Sequence, residues 1–191
     1  MFLTGFLLLC LFGTIHSIEN KSSFFSLEEK TLIMRIQMVC LGNICRSPLA
    51  EGILKHKVKN AGLDWFVDSA GIGDWHAGDL PDKRSIAIAQ RYNIDITDQR
   101  ARQIRKDDLK NFDLILAMDD SNLRQIQLLA QNTHLAHAKI EMILNYVEPG
   151  KNRSVPDPYY GGMDGFEKVF QLLDEATDQI LKKHQKNVEQ E

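Results

Sequence analysis

Four short apolar runs, each followed by a stretch with helically spaced apolar residues, are the feature that most restricts how this chain can fold. The runs lie at 35–39, 65–68, 112–118 and 139–146, and residues 48–61, 82–92, 119–130 and 164–184 read as helices. In the first helix Leu49, Ile53, Leu54, Val58 and Ala61 share helical spacing and Gly62 supplies a stop. Pro81 suits the first turn of the second, and residues 119–121 offer N-cap side chains for the third. Strands alternating with helices imply a parallel sheet, because parallel neighbours need crossover connections and those crossovers cover the faces. The expected fold is therefore three-layer α/β, with a central four-stranded parallel sheet and helices on both faces. In such sheets the active loops sit at the carboxyl ends of the strands.

Composition narrows the function classes without naming one. The 191 residues are 43% hydrophobic and 26% charged, which excludes a disordered, collagen-like or disulfide-framework protein. With 23 basic against 26 acidic residues the net charge is −3, and no basic excess points to nucleic acid. The three cysteines, at 10, 40 and 45, cannot all pair within one chain. Residues 1–18 carry no Asp, Glu, Lys or Arg. That apolar run is short for a membrane span, which needs about 20 residues. It is similar to a secretory signal segment with Ser17 near a cleavage point, yet no basic residue precedes it. The alternatives are a tether, or a start at Met34 with the preceding residues upstream of the true beginning. The expected organisation is a separate N-terminal extension at 1–33 and one enzyme domain at 34–191.

The connection between the first run and the first helix, V-C-L-G-N-I-C-R-S-P at 39–48, carries the chemistry. Gly42 and Asn43 tolerate the left-handed conformations a tight loop needs. Such a loop turns its backbone N–H groups inward as an anion nest, and the following helix adds its positive N-terminal end. Arg46 offers a planar fork able to hold two phosphate oxygens. The field that holds a phosphate dianion also stabilises a thiolate on Cys40, so the loop suits nucleophilic attack on phosphorus and a cysteinyl-phosphate intermediate. The competing reading takes Cys40 and Cys45 as small buried hydrophobes and Arg46 as a surface charge.

The string VCLGNICRSPLAE, with Asp157-Pro158-Tyr159-Tyr160 downstream, resembles the low-molecular-weight protein-tyrosine phosphatases. The resemblance continues through DSAGIGDWHAGDLPDKR, RARQI and AMDDSNL and covers essentially all of 34–191, but not 1–33. It implies that Cys40 is the nucleophile, Arg46 the phosphate-binding arginine and Asp157 the general acid and later base. Leu41, Gly42, Asn43, Ile44, Cys45 and Ser47 would complete the phosphate loop between first strand and first helix. Ser47 would stabilise the thiolate, and Ser69 would join Asn43 in the supporting hydrogen-bond network. Trp75, Tyr159 and Tyr160 would wall the substrate cleft, favouring phosphotyrosine over the shorter phosphoserine. Cys45 would capture an oxidised Cys40 as a disulfide.

Departures from the family pattern also inform. Gln99 stands where many relatives carry a histidine supporting the loop asparagine. Ile44 stands where phosphoarginine-directed relatives tend to have threonine, and Tyr159 where they tend to have another aromatic residue; both differences favour phosphotyrosine. No cysteine follows Cys45, which closes the relay used by arsenate reductases. His134 and His137 lack further ligands for a metal; His76 lies at the expected cleft rim, either touching substrate or simply solvated, and Asp119 and Asp120 either act on Arg46 electrostatically or cap the following helix. The expected protein is a monomeric protein-tyrosine phosphatase acting on phosphotyrosine-containing proteins, with no metal, no cofactor and no membrane partner for the domain. The alternatives are a phosphate-recognition module without turnover and an arsenate-reductase-like redox enzyme. The thiol pair suits a reducing cytoplasm; the first 18 residues suit a secreted or periplasmic protein.

Overall fold

Each apolar run becomes one parallel strand in the computed structural model, which describes residues 33–134 and 136–188. The apolar segment 1–18 with Cys10 and Ser17 lies outside the described residues. Strand β1 (Arg35–Cys40) leads to helix α1 (Arg46–Asn60), then β2 (Phe66–Gly71) and α2 (Lys83–Arg91). A short helix α3 (Asp108–Asn111) precedes β3 (Leu114–Ala117), followed by α4 (Asp120–Gln131) and β4 (Lys139–Met142). A 3-10 turn at Ile143–Tyr146 and a long connection lead to α5 (Met163–Val188).

The four strands form one all-parallel sheet in the order β2-β1-β3-β4. Alternation along the strands sorts two cores. Ile36, Met38, Leu114 and Leu116 pack on one face against residues of α1, α2 and α5, including Leu49, Ile53, Ile88, Phe166 and Leu173. Val39, Ile115 and Ala117 pack on the other against Leu109 of α3 and Ile126 of α4. The three-layer α/β expectation is met. Several element bounds move, for physical reasons. β2 runs on to Gly71 because Ser69, Ala70 and Gly71 stay paired with Met38, Val39 and Cys40. β4 stops at Met142 because its partner β3 ends at Ala117, and the chain then curls into the 3-10 turn. Pro81 precedes the Asp82 cap of α2 and does not fill its first turn.

This strand order places the functional end. From β1 the chain moves outward to β2, then returns past β1 to form β3. The crevice at the carboxyl ends of β1 and β3 is thus the topological switch point, where open α/β sheets bind ligands. Cys40 ends β1 and Asp119 follows β3, so both open onto that crevice.

Candidate active site

The loop between β1 and α1 wraps its backbone around one sulfur. Cys40 Sγ lies 3.2 Å from the Asn43 amide, which donates to it, and 3.0 Å from Ser47 Oγ. Asn43 adopts a φ of 57°, the left-handed turn that reverses the loop and that asparagine tolerates better than most residues. Its side chain holds that shape. Nδ2 donates to Ser47 Oγ at 2.9 Å and to Ser69 Oγ at 2.8 Å, and Oδ1 accepts from the Arg102 amide at 2.9 Å. Ser69 in turn donates to Glu51 Oε2 at 2.5 Å, and Lys55 reaches Glu51 Oε1 at 2.5 Å. Burial pushes the Glu51 carboxyl above its usual range, opposed by Lys55 and the Ser69 hydrogen bond.

Arg46 is only 3% exposed, yet its guanidinium faces the crevice. Nη1 pairs with Asp119 Oδ2 at 2.7 Å and donates to the Val155 carbonyl at 3.2 Å. Nη2 lies 3.3 Å from Asp157 Oδ2. Asp119 therefore does two things: Oδ1 caps α4 by accepting from the Asn122 amide at 2.7 Å, and Oδ2 fixes Arg46. A buried guanidinium held this way is preorganised for an anion.

These groups open into a cleft of about 390 Å³. Cys40, Leu41, Gly42, Ile44, Cys45 and Arg46 form its floor; Trp75, Asp157, Tyr159 and Tyr160 form its walls. Asn43, Ser47 and Ser69 lie buried, in the network holding the loop. Tyr160 is 95% exposed and meets Tyr159 edge-on, with ring centroids 5.1 Å apart. His76 joins the wall, its Nδ1 3.0 Å from Asp79 Oδ2. Cys45 is buried, and desolvation, reinforced by Asp82, Cys40 and Asp157, pushes its thiol up to about 12. Among the described residues no group of three or more His, Cys, Asp or Glu side chains could hold a metal ion. No described helix is long and apolar enough to cross a membrane.

Gln99 does not take the supporting place beside Asn43 that the resemblance implies for this position. Its Nε2 donates to the Pro48 carbonyl at 3.2 Å, while the Arg102 amide satisfies Asn43 Oδ1. Neither Glu51 nor Arg102 stands out in the sequence as a site residue. A carboxylate beside Leu49, Ile53 and Leu54 on an apolar helix was the available signal for Glu51.

The comparisons with known proteins agree with this geometry. Residues 35–190 match the family model described as low molecular weight phosphotyrosine protein phosphatase. A low molecular weight phosphotyrosine protein phosphatase of Schizosaccharomyces pombe is 41% identical over 152 residues, covering 78% of this chain and 96% of that protein. The crystal structure of YfkJ from Bacillus subtilis superposes with a TM-score of 0.74 at 39% identity, over 81% of this chain and 96% of the other. That of DARP, a Drosophila arginine phosphatase, gives 0.75 at 35% identity, over 79% and 98%. On sequence and fold alike, the chain belongs to the low molecular weight phosphotyrosine protein phosphatase family.

Proposed function

We propose that the protein hydrolyses phosphotyrosine in proteins through a cysteinyl-phosphate intermediate. One observation carries the reading: Cys40, Arg46 and Asp157 line a single cleft, with Cys40 Sγ facing an amide and a hydroxyl and Arg46 within 3.3 Å of the Asp157 carboxylate. The phosphoryl group binds the loop amides and the Arg46 fork, with the positive end of α1 behind it. The Cys40 thiolate attacks phosphorus, the P–O bond to the phenol breaks, and Asp157 in its acid form protonates the departing oxygen. Asp157, now a carboxylate, takes a proton from water as that water attacks phosphorus. The S–P bond breaks, the thiolate returns and inorganic phosphate leaves.

Ser47 and the Asn43 amide stabilise negative charge on sulfur in both steps, and Asn43 and Ser69 keep the loop in that shape. Leu41 and Ile44 on the floor and Trp75, Tyr159 and Tyr160 on the walls supply apolar surface for a flat ring. This favours phosphotyrosine over phosphoarginine, whose guanidinium would need polar partners there. Cys45 lines the same cleft, which supports its capturing an oxidised Cys40 as a disulfide. The groups invoked here all lie within 34–191, so one copy of that unit, acting as a monomer, is sufficient for the chemistry. Two free thiols in one cleft suit a reducing, cytoplasmic setting.

The test uses two substrates and two variants, read as kcat/KM so that only phosphoryl transfer to Cys40 is followed. Cys40→Ser abolishes turnover of p-nitrophenyl phosphate and phosphotyrosine while retaining vanadate binding. Asp157→Ala lowers kcat/KM for phosphotyrosine by roughly 10²–10⁴ and for p-nitrophenyl phosphate far less, since p-nitrophenolate leaves without a proton. Normal turnover by the first variant, or equal losses with the second, would refute the mechanism. A wild-type protein that binds vanadate but turns over neither substrate would be a recognition module.

A further inference from the structure

We propose that Arg84, braced by Asp82, is a positioning residue that clasps the Asp157 loop to the phosphate loop and sets where the acid meets the leaving group. The proposal deepens the phosphatase reading and rests on Asp157 being the proton donor. Arg84 Nη1 donates to the carbonyls of Tyr159 at 2.9 Å and Gly161 at 2.8 Å. Its Nε and Nη2 grip Asp82 Oδ1 and Oδ2 at 3.0 and 2.8 Å, a two-point contact that fixes the plane of the guanidinium. The same plane lies 4.5 Å over the Phe166 ring, so core packing supports it from behind.

The N-terminal turn of α2 is also tied to the phosphate loop that follows the nucleophile. The Asp82 amide donates to the Ile44 carbonyl at 2.7 Å, and Ser85 Oγ donates to the Cys45 carbonyl at 3.3 Å. One helical turn thus holds two carbonyls of the phosphate loop directly and, through Arg84, two carbonyls of the acid loop. Within 156–161 the remaining hydrogen bonds are local, from the Tyr159 amide to Asp157 Oδ1 and from the Gly161 amide to the Pro158 carbonyl, apart from the Arg46–Asp157 pair, while Pro158 itself is buried. That pair must loosen when a phosphate dianion takes the Arg46 fork. Arg84 is then an anchor that persists through substrate binding, on the far side of Asp157 from Val155, whose amide donates to the Met118 carbonyl at 2.8 Å.

The experiment compares kcat/KM for phosphotyrosine and p-nitrophenyl phosphate in Arg84→Met, Arg84→Lys, Asp157→Ala and the Arg84→Met/Asp157→Ala double variant. Misplacing a reacting group by about 1 Å costs roughly 10²-fold. The expected result is at least a ~10-fold fall in the phosphotyrosine to p-nitrophenyl phosphate ratio for Arg84→Met. Arg84→Lys, which keeps a donor but not the fork, falls between, and the double variant has the ratio of Asp157→Ala alone. The ratio does not depend on the fraction of folded enzyme, so a destabilised variant still gives an answer. An unchanged ratio in Arg84→Met, or a further fall in the double variant, overturns the clasp. Failure of Asp157→Ala itself to change the ratio refutes the acid assignment instead, and the two failures are thereby distinct.

Discussion

Gly71→Ala probes the packing on which the phosphate loop rests. Gly71 ends β2 opposite Cys40, and a Cβ built there would lie 3.0 Å from the Asn43 amide nitrogen, the Gly42 carbonyl carbon and the Leu41 carbonyl oxygen. All three are backbone atoms, so no rotamer change relieves the contact. β2 cannot retreat, because the Gly71 amide donates to the Arg102 carbonyl and its carbonyl accepts from the Ile104 amide, each at 2.8 Å. Ordinary contact for a carbon neighbour is about 3.5 Å, so the loop must give by roughly 0.5 Å. With about 10²-fold lost per ångström of misplacement, kcat/KM falls about 10-fold, or about 1.4 kcal/mol of barrier. Both substrates lose through the shifted sulfur and phosphate nest, and phosphotyrosine loses further, because its leaving group is carried away from Asp157 as well. Overpacking of this kind costs about 1–3 kcal/mol of stability, and at this size each kcal/mol lowers Tm by about 2–4 °C. The assay is steady-state kinetics well below Tm with a thermal melt alongside. Gly162→Ala is the control, because a Cβ there has nothing within 4 Å. A Gly71→Ala enzyme with kcat/KM within twofold of wild type and an unchanged melt would refute the close approach.

Two other predictions follow from titration. Cys45, its thiol pushed up to about 12 by burial, stays protonated at neutral pH, so a brief iodoacetamide pulse at pH 7.5 labels Cys40 first; peptide mass spectrometry showing equal labelling would contradict this. Hydrogen bonds from Arg84 hold the Asp82 carboxyl below its usual value. A depressed folded-state value means the contribution is present above the unfolded value of about 3.9 and is lost as pH falls through the lower folded one. Melts of wild type and Asp82→Asn should therefore differ most above pH ~5 and converge toward pH ~2; a gap that stays constant over that range would mean that the clasp is not ionic.

What the sequence makes legible here is whatever has a period or a short motif. The apolar lean of Arg35–Val39 already announces a strand, though not that Gln37 on its second face is fully buried, and Cys40 through Pro48 announces an anion loop at its end. Helix α3, four residues long, has no period to read. β2 reads as ending before Ser69-Ala70-Gly71, since Ala-Gly is turn-like in isolation and only pairing with β1 keeps it extended. Gln99 shows the limit of residue-by-residue analogy. It can hydrogen-bond, as the sequence suggests, but its Nε2 goes to the Pro48 carbonyl and its buried Oε1 has no partner. The residues that set the site's geometry act across long stretches of chain: Asp119 reaches Arg46 from 73 positions away, and Arg84 reaches Tyr159 and Gly161 across 75 and 77. The acidic pair after the third apolar run suggests a charge acting on Arg46, but no local pattern fixes such contacts, because each is satisfied only after the sheet has set the order of its strands. Strand order therefore does more than place the nucleophile. By bringing the ends of β1 and β3 together it lets one carboxylate both cap α4 and hold Arg46, and by packing α2 beside the phosphate loop it lets one arginine hold the acid. The phosphate nest is local in sequence and rigid; the acid is remote and carried on a long connection. A leaving group that needs a proton tests the second, whereas one that does not tests only the first.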